Sequence, residues 1–478
     1  PRDLPLWKRS QVAREGVTCV SCHRVSEEYA KANGERRIVP GTILEPVYGP
    51  LGGDGVASAV QNAGRYNVAT DVKARGTKIH TQGIKFEQLS KAEFCMSCHQ
   101  VAVNLGIKLE VVWDQYRASP AREQGITCQD CHMGKVPGKP EGYAAGPVAE
   151  GMRNGKTLIP TRKRTNHSFY GPGYPITHPG IFPHHNTEGT EEWTIERWLR
   201  FDYRAKWGSD AFEEAGEAGK VKVKFPEEWA EADDRKKAWS VVEENLKLLE
   251  QKKAQRRQVM ENGSRIDGPY FAAELKAGQA LRFSYKVTNT DAGHNLPSGS
   301  LGAQPELWLN VALIGPDGKR VWESGYLDGN GDMADLHSLD VRAGKLPHDG
   351  QLFNLQTKFL TTNVKGTERE MYLPVNLDLD QLPFLRPPGQ PVSVMNHPPF
   401  VRMEQRSLPP LGSRVASYTA PAEAMLKPGK YRLAVRMRSR AEPIYFMRFV
   451  GATLDMERSM NEWMLDIHPY SVEFEVKP

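Results

Sequence analysis

Phe94-Cys95-Met96-Ser97-Cys98-His99-Gln100 and Ile126-Thr127-Cys128-Gln129-Asp130-Cys131-His132-Met133 are two copies of one pattern, and Cys19-Val20-Ser21-Cys22-His23 is a third. Together they take up all six cysteines of the chain. Two sulfurs at i and i+3 can share one face of a short helix. From there both reach the vinyl groups of one porphyrin, and the histidine that follows is held under its iron. This is the spacing of covalent c-type haem attachment. Cys-x-x-Cys also serves disulfides and zinc knuckles, but neither needs a histidine directly after the second cysteine, and here it stands there every time. The expected cofactors are three covalently bound haem c groups, attached through Cys19 and Cys22, Cys95 and Cys98, and Cys128 and Cys131. Their proximal iron ligands are His23, His99 and His132. Ser90 with Glu93 predicts a capping box that starts the helix carrying Cys95.

With 478 residues, 39% of them hydrophobic, the chain can bury real cores; roughly 100 to 200 residues per domain gives two to four domains. Forty-three glycines and 34 prolines favour irregular backbone. The formal charge of +5 changes once three haems are counted: about six propionates and about three ferric centres bring it near +2 oxidised and near −1 reduced. The basic balance is therefore no argument for nucleic acid. No apolar run approaches the ~20 residues of a membrane span, so no transmembrane segment is expected. The sequence opens at Pro1 without a charged and apolar leader, which reads as a processed chain. Because haem c is attached outside the cytoplasm, a periplasmic or extracellular location is expected.

The periodicity changes twice along the chain. Residues 1–189 form the trihaem domain, mainly α-helical and irregular, in which Leu109, Val112, Trp113 and Tyr116 predict a helix that Pro120 ends. The basic triplet Arg162-Lys163-Arg164 suits haem propionates, or is a solvated face. Residues 190–263 predict a helical connector, with Trp193, Arg197 and Arg200 in one helix. A second helix starts at Pro226, carries Trp239, Val242, Leu246 and Leu249 on one face, and stops at Asn262-Gly263. Lys252, Lys253, Arg256 and Arg257 suit its C-terminal dipole. From residue 264 the period is two: Leu281, Phe283, Tyr285 and Val287, then Leu307 to Leu313, then Tyr431 to Met437, and finally Val472, Phe474 and Val476. Residues 264–478 are thus expected to form an antiparallel, immunoglobulin-like β-sandwich with a long insertion over about 325 to 425. The fold class is α + β multidomain.

Several stretches resemble the multihaem cytochromes c, the superfamily of the nitrifiers' tetrahaem carrier, hydroxylamine oxidoreductase and pentahaem nitrite reductase. They are Glu15 to Val25, Ser90 to Cys95 preceded by His80, Trp113 to Pro120 leading into Gly125 to Met133, and Asn166-His167-Ser168-Phe169. The resemblance covers about the first 200 residues. It implies closely stacked, mostly bis-histidine haems, with His80 and His167 as distal ligands by matching position. The lysine-ligated Cys-x-x-Cys-Lys motif of the nitrite reductase is not present. Three irons need three distal ligands. The loop Asn289 to Gly299 brackets His294 with glycines and a proline, and similar Gly-His-x-x-Pro loops occur in sandwich domains attached to multihaem cytochromes; His294 is the expected third. His178, His184 and His185 compete with it, whereas His337, His348, His397 and His468 read as ordinary loop or core residues.

The expected function is electron transfer, since three irons with two strong ligands each leave no open site for a substrate. The alternative is a haem oxidoreductase acting on a small nitrogen or sulfur compound at one five-coordinate haem, with a pocket drawn from His178 to His185, Tyr170 and Tyr174. A third possibility is a haem-bearing subunit of a larger respiratory complex or filament, in which the chain is oligomeric. Expected partners are redox proteins, other cytochromes or a respiratory complex.

Overall fold

The computed structural model describes residues 17–28, 36–42, 44–103, 107–146, 152–153, 156–157, 162–174, 178–183, 189–190, 192–298, 305–335, 337–356, 358–362, 368–371, 401–404, 406–449 and 451–478. They form a mixed α and β structure with several small open sheets.

The N-terminal part is assembled from short pieces. The three cysteine motifs lie on or beside brief helices: α1 (Cys19–His23), α2 (Glu93–Met96) and, beyond α3 (Val112–Arg117), α4 (Cys128–His132). The capping box expected at Ser90 is absent. Ser90 ends a separate 3₁₀ turn, Glu87–Ser90, and Ala92 is the N-cap of α2. The box instead belongs to α4, where Thr127 and Asp130 cap each other, the Asp130 carboxylate accepting from the Thr127 amide at 2.8 Å. Leu109 is also not helical. It lies in the strand Ile107–Glu110, whose backbone groups are satisfied by Val101–Val103 in an antiparallel pair, so helix α3 starts three residues later. Pro120 opens a new helical turn rather than only closing one. It occupies the first position of Pro120–Glu123, behind Ser119, whose hydroxyl accepts from the Arg122 amide, because a proline loses nothing where no intrahelical N–H bond exists.

The middle part buries Trp193, Trp198, Phe201, Trp207 and Trp229 in one cluster, with Ile195–Leu199 as one of its helices. The Arg197 guanidinium is sandwiched 4.2 Å from the Trp193 ring and 4.6 Å from that of Trp229. The long helix α5 (Ala232–Asn262) follows; Pro226 introduces only the 3₁₀ turn Glu227–Trp229. Its stop at Asn262 before Gly263 is as expected. The basic residues near its end do more than face the helix dipole. Arg256, 1% exposed, donates to the carbonyls of Pro172 at 2.8 Å and Trp463 at 3.2 Å, and Lys252 donates to that of Ser168 at 2.8 Å. Thus α5 ties the haem-motif region to the C-terminal part.

That part contains two antiparallel sheets that share one core, besides a smaller one. Strands β1 (Ser264–Phe271), β2 (Leu281–Asn289), β3 (Glu306–Ile314), β4 (Arg320–Ser324), β5 (Ser413–Ala420), β6 (Gly429–Arg440) and β7 (Leu465–Val476) pair in the orders β1-β2-β5 and β4-β3-β6-β7. Their inward side chains form one core: Phe283, Tyr285 and Val287 meet Leu309, Val311, Leu433 and Val435. The alternation of buried and exposed residues in β2 matches the period read from the sequence. The stretch expected to be insertion supplies β5. Its inward residues Ala416, Tyr418 and Ala420 include two alanines, so apolar alternation is weak there and the ladder with β2 decides the strand. The rest of that stretch holds a small sheet of Lys358–Thr362, Glu368–Met371 and Val401–Glu404. After β6 come helices α6 (Ile444–Phe449) and α7 (Leu454–Glu462), whose Ile444, Met447 and Met460 pack with Tyr174, Leu249 and Trp463.

Candidate haem-binding site

No two of the six cysteines are joined in a disulfide. The Cys95 and Cys128 thiols lie within hydrogen-bonding reach of each other, and Cys22 is close enough to Cys98 for their charges to interact. The second motif is therefore close to both the first and the third. Among the described residues no group of three or more His, Cys, Asp or Glu side chains converges as a cage for a bare metal ion; the thiols are not gathered as a zinc knuckle gathers them.

Four of the histidines form two pairs. The His23 and His167 rings have centroids 6.1 Å apart and planes inclined at 35°. Those of His132 and His294 are 6.0 Å apart at 14°. An imidazole nitrogen lies about 2.0–2.1 Å from a bound metal, so two rings facing each other across one iron have centroids roughly 6 Å apart. The hydrogen bonds agree with this. His23 Nδ1 is 2.7 Å from the Tyr48 carbonyl, His167 Nδ1 is 3.1 Å from that of Thr165, and His294 Nδ1 is 3.0 Å from that of Asn295; His132 Nδ1 contacts the Tyr170 carbonyl. A carbonyl can only accept, so in each case Nδ1 carries the proton. Burial also lowers the pKa of His23 and His132, which favours the neutral ring. A neutral ring protonated at Nδ1 carries its lone pair on Nε2, which is the form that ligates a metal; for His294 that nitrogen also lies 3.6 Å from a carboxylate oxygen of Asp291. Tyr48 is held in a parallel pair of Val47–Gly49 with Gly83–Lys85, and Arg24, next to His23 and 2% exposed, donates to the carbonyls of Val39 and of Pro46, the residue just before that strand.

At the third motif the site is a crevice between the haem-motif region, the end of α5 and the β2–β3 loop. Cys131, His132, Gly171, Val259, Leu296 and Pro297 are among its walls, and His294 enters from the loop. Burial pushes the Cys131 thiol up to about 12. The loop is braced from within and from outside. The Asn289 side chain donates to the His294 carbonyl at 2.9 Å, and Asp291 accepts from the Gly293 amide at 2.9 Å. Gln115 of α3 accepts from the Asn295 amide at 3.2 Å and from Ser298 at 3.0 Å, and the Ala121 amide donates to the Ala292 carbonyl. Ala292 itself packs with Ala92, Tyr116, Ala121 and Cys128. Gln115, Asp291 and Asn289 carry no spacing signal that marks them in the sequence.

His99 differs from the other motif histidines: its Nδ1 is 3.3 Å from a carboxylate oxygen of Glu110, which raises its pKa. Glu110 likewise carries no signal in the sequence. His80 lies near enough to His23 to influence its charge. Of the competing ligands, His184 and His185 lie outside the described residues, as does His397. His178 is committed elsewhere. Its Nε2 contacts the Phe201 carbonyl at 2.7 Å, its Nδ1 accepts from the Gly180 amide at 3.0 Å, and Trp198, Phe201 and Tyr203 surround its ring. Tyr174 stacks on Trp463 at 5.1 Å, His337 stacks on Tyr445 at 4.0 Å, and His468 contacts the Ser264 carbonyl at 2.9 Å.

Burial pushes the His178 pKa from 6.5 down to about 4. Above pH 6.5 the ring is neutral folded or unfolded and its titration costs nothing. Between 6.5 and 4 only the unfolded chain takes up the proton, so stability falls as the pH falls, by about 3 kcal/mol once both values are passed. Denaturant titrations of the wild type and His178→Gln should therefore diverge in pH dependence across this window. Parallel curves would mean that His178 is not held neutral by its aromatic surroundings.

No family model matches the chain, and no curated protein matches it. Among solved structures it is similar to a penta-heme cytochrome c552 from Thermochromatium tepidum, with a TM-score of 0.43 and 13% identity over 96% of this chain and 77% of that one. It also matches the Pseudomonas fluorescens alkylpurine DNA glycosylase AlkC bound to DNA containing an abasic site analog, with a TM-score of 0.16 and 11% identity over 50% of this chain and 38% of that one. Likenesses at these scores carry no functional argument.

Proposed function

We propose that this chain is an exported trihaem c-type cytochrome that relays electrons. The observation that carries this reading is the facing of His23 with His167 and of His132 with His294 at the separation an intervening iron requires, each Nδ1 tied outward to a carbonyl. Cys19 and Cys22, Cys95 and Cys98, and Cys128 and Cys131 would attach the three groups. His23, His99 and His132 are proximal ligands, with His167 opposite His23 and His294 opposite His132; His80, which lies near His23, is the proposed third distal ligand. Bound haem supplies the electron-carrying iron. The chain fixes ring orientation, closes the axial positions and lines the crevice with apolar groups.

The relay is divided among three domains, in which residues 1–189 hold the haems, 190–263 connect, and 264–478 form an immunoglobulin-like sandwich. The strand orders β1-β2-β5 and β4-β3-β6-β7 support the last assignment. Among the described residues no helix is long and apolar enough to cross a membrane. The setting proposed is periplasmic or extracellular, with redox proteins such as other cytochromes or a respiratory complex as partners.

Haem quantitation together with the electron paramagnetic resonance spectrum of the oxidised protein and carbon monoxide addition after reduction tests this reading. Three haems per chain, all low-spin, with no carbon monoxide shift, are expected. A high-spin ferric centre that binds carbon monoxide would instead indicate an open site and favour the oxidoreductase.

A further inference from the structure

We infer that Glu110 sets the reduction potential of the middle haem by accepting the Nδ1 proton bond of its proximal ligand His99. This inference rests on the trihaem reading above and goes beyond it by distinguishing one centre from the other two. The contrast lies in the acceptors. His23 and His132 direct Nδ1 to the neutral carbonyls of Tyr48 and Tyr170, whereas His99 directs it to a carboxylate at 3.3 Å. The Glu110 side chain is 17% exposed and that of His99 64%, so the carboxylate is largely sheltered while water reaches the ring side of the contact and weakens it in part. The backbone places it there. Val101–Val103 and Ile107–Glu110 form an antiparallel pair directly after the second motif, with Val101 opposite Glu110, and the Trp113 amide then donates back to the His99 carbonyl at 3.3 Å.

A carboxylate that draws on the Nδ1 proton raises the basicity of Nε2. The more basic ligand stabilises the ferric over the ferrous iron, and the nearby negative charge acts in the same direction. The centre at the second motif is thereby more reducing than its ligand type alone would make it. An electron passing along the three must climb to it, so the outer centres can hold an electron while the middle one remains oxidised.

The test is a spectroelectrochemical titration of the holoprotein beside E110Q. Glutamine keeps the volume and an acceptor oxygen but removes the charge, and E110A removes the acceptor as well. We expect one of the three centres to become easier to reduce by about tenfold in its equilibrium constant, which is 59 mV for one electron. The other two should stay in place, and all three low-spin signals should persist. E110A must move the same centre in the same direction. Variants that retain three low-spin haems but show no shift, or an equal shift of all three, would overturn the inference and leave the trihaem reading intact. A wild type without three six-coordinate haems would overturn both.

Discussion

Replacing His294 with alanine should leave one haem of the three high-spin. The low-spin intensity should fall by a third and, after reduction, about one carbon monoxide should bind per chain. The expectation follows from the pairing of His294 with His132 at 6.0 Å and from the way the loop is held. Asn289 and Gln115 brace its backbone without using the His294 ring, while Asp291 accepts from the Gly293 amide and has its other carboxylate oxygen 3.6 Å from His294 Nε2, so the substitution removes the imidazole and leaves the backbone bonds of the loop in place. Added imidazole should then restore the low-spin spectrum, because the crevice keeps its shape. The same substitution at His178, whose nitrogens are taken by Phe201 and Gly180, should leave all three centres low-spin. An unchanged spectrum in His294→Ala would remove His294 from the ligand set.

The second large effect is expected from Arg440→Ala. The Arg440 side chain is 0% and the Glu306 side chain 1% exposed. Arg440 Nε donates to Glu306 at 2.7 Å and Nη1 to Asn461 at 2.6 Å, with a further bond to the Gly331 carbonyl. Removing the guanidinium leaves Glu306 as an uncompensated buried charge. Its neighbour Glu442 offers no relief, since burial and Glu306 already push that carboxyl up to about 8. Breaking such a pair from one side costs about 3–5 kcal/mol, read as a lowered midpoint in urea unfolding. Arg440→Met combined with Glu306→Leu should recover most of the loss, because no buried charge then remains. A single substitution costing under about 1 kcal/mol would mean that water reaches the pair. Pro305 and Ser439, each adjacent to one partner, line the crevice of the third motif, so loosening here should also broaden that haem's signal.

What was legible in the sequence was what depends on local chemistry. The cysteine motifs declare themselves through fixed spacing. The alternation in β2 and the stop of α5 at Gly263 reflect periods and caps that each segment carries within itself. Failures arose where a distant partner decides the outcome. Leu109 keeps helical spacing with Val112 but is held extended by Val101–Val103. Ser413–Ala420 has too few large inward residues to announce a strand until β2 pairs with it. The site divides along the same line. His294 stood out because glycines and a proline bracket it, while Glu110, Gln115 and Asp291 are ordinary polar residues until folding places them beside a ligand or its loop. Arg256 shows the same limit, since its helical position suggests a dipole contact and only tertiary packing reveals the carbonyls of Pro172 and Trp463.

The position of His294 bears on how the molecule matures. During synthesis the N-terminal end emerges first, so the partners of the first motif, His23 and His167, are both available before the β2–β3 loop exists. The crevice at the third motif also needs Val259, Leu296 and Pro297 as walls. A fragment ending at Gly263 would therefore present Cys128, Cys131 and His132 to the attachment machinery without the opposite ligand or much of the apolar enclosure. On the proposed ligand set, closure of a third coordination sphere through His294 would await completion of the C-terminal sheets. A chain arrested halfway would carry an iron exposed to adventitious ligands until the missing half arrived.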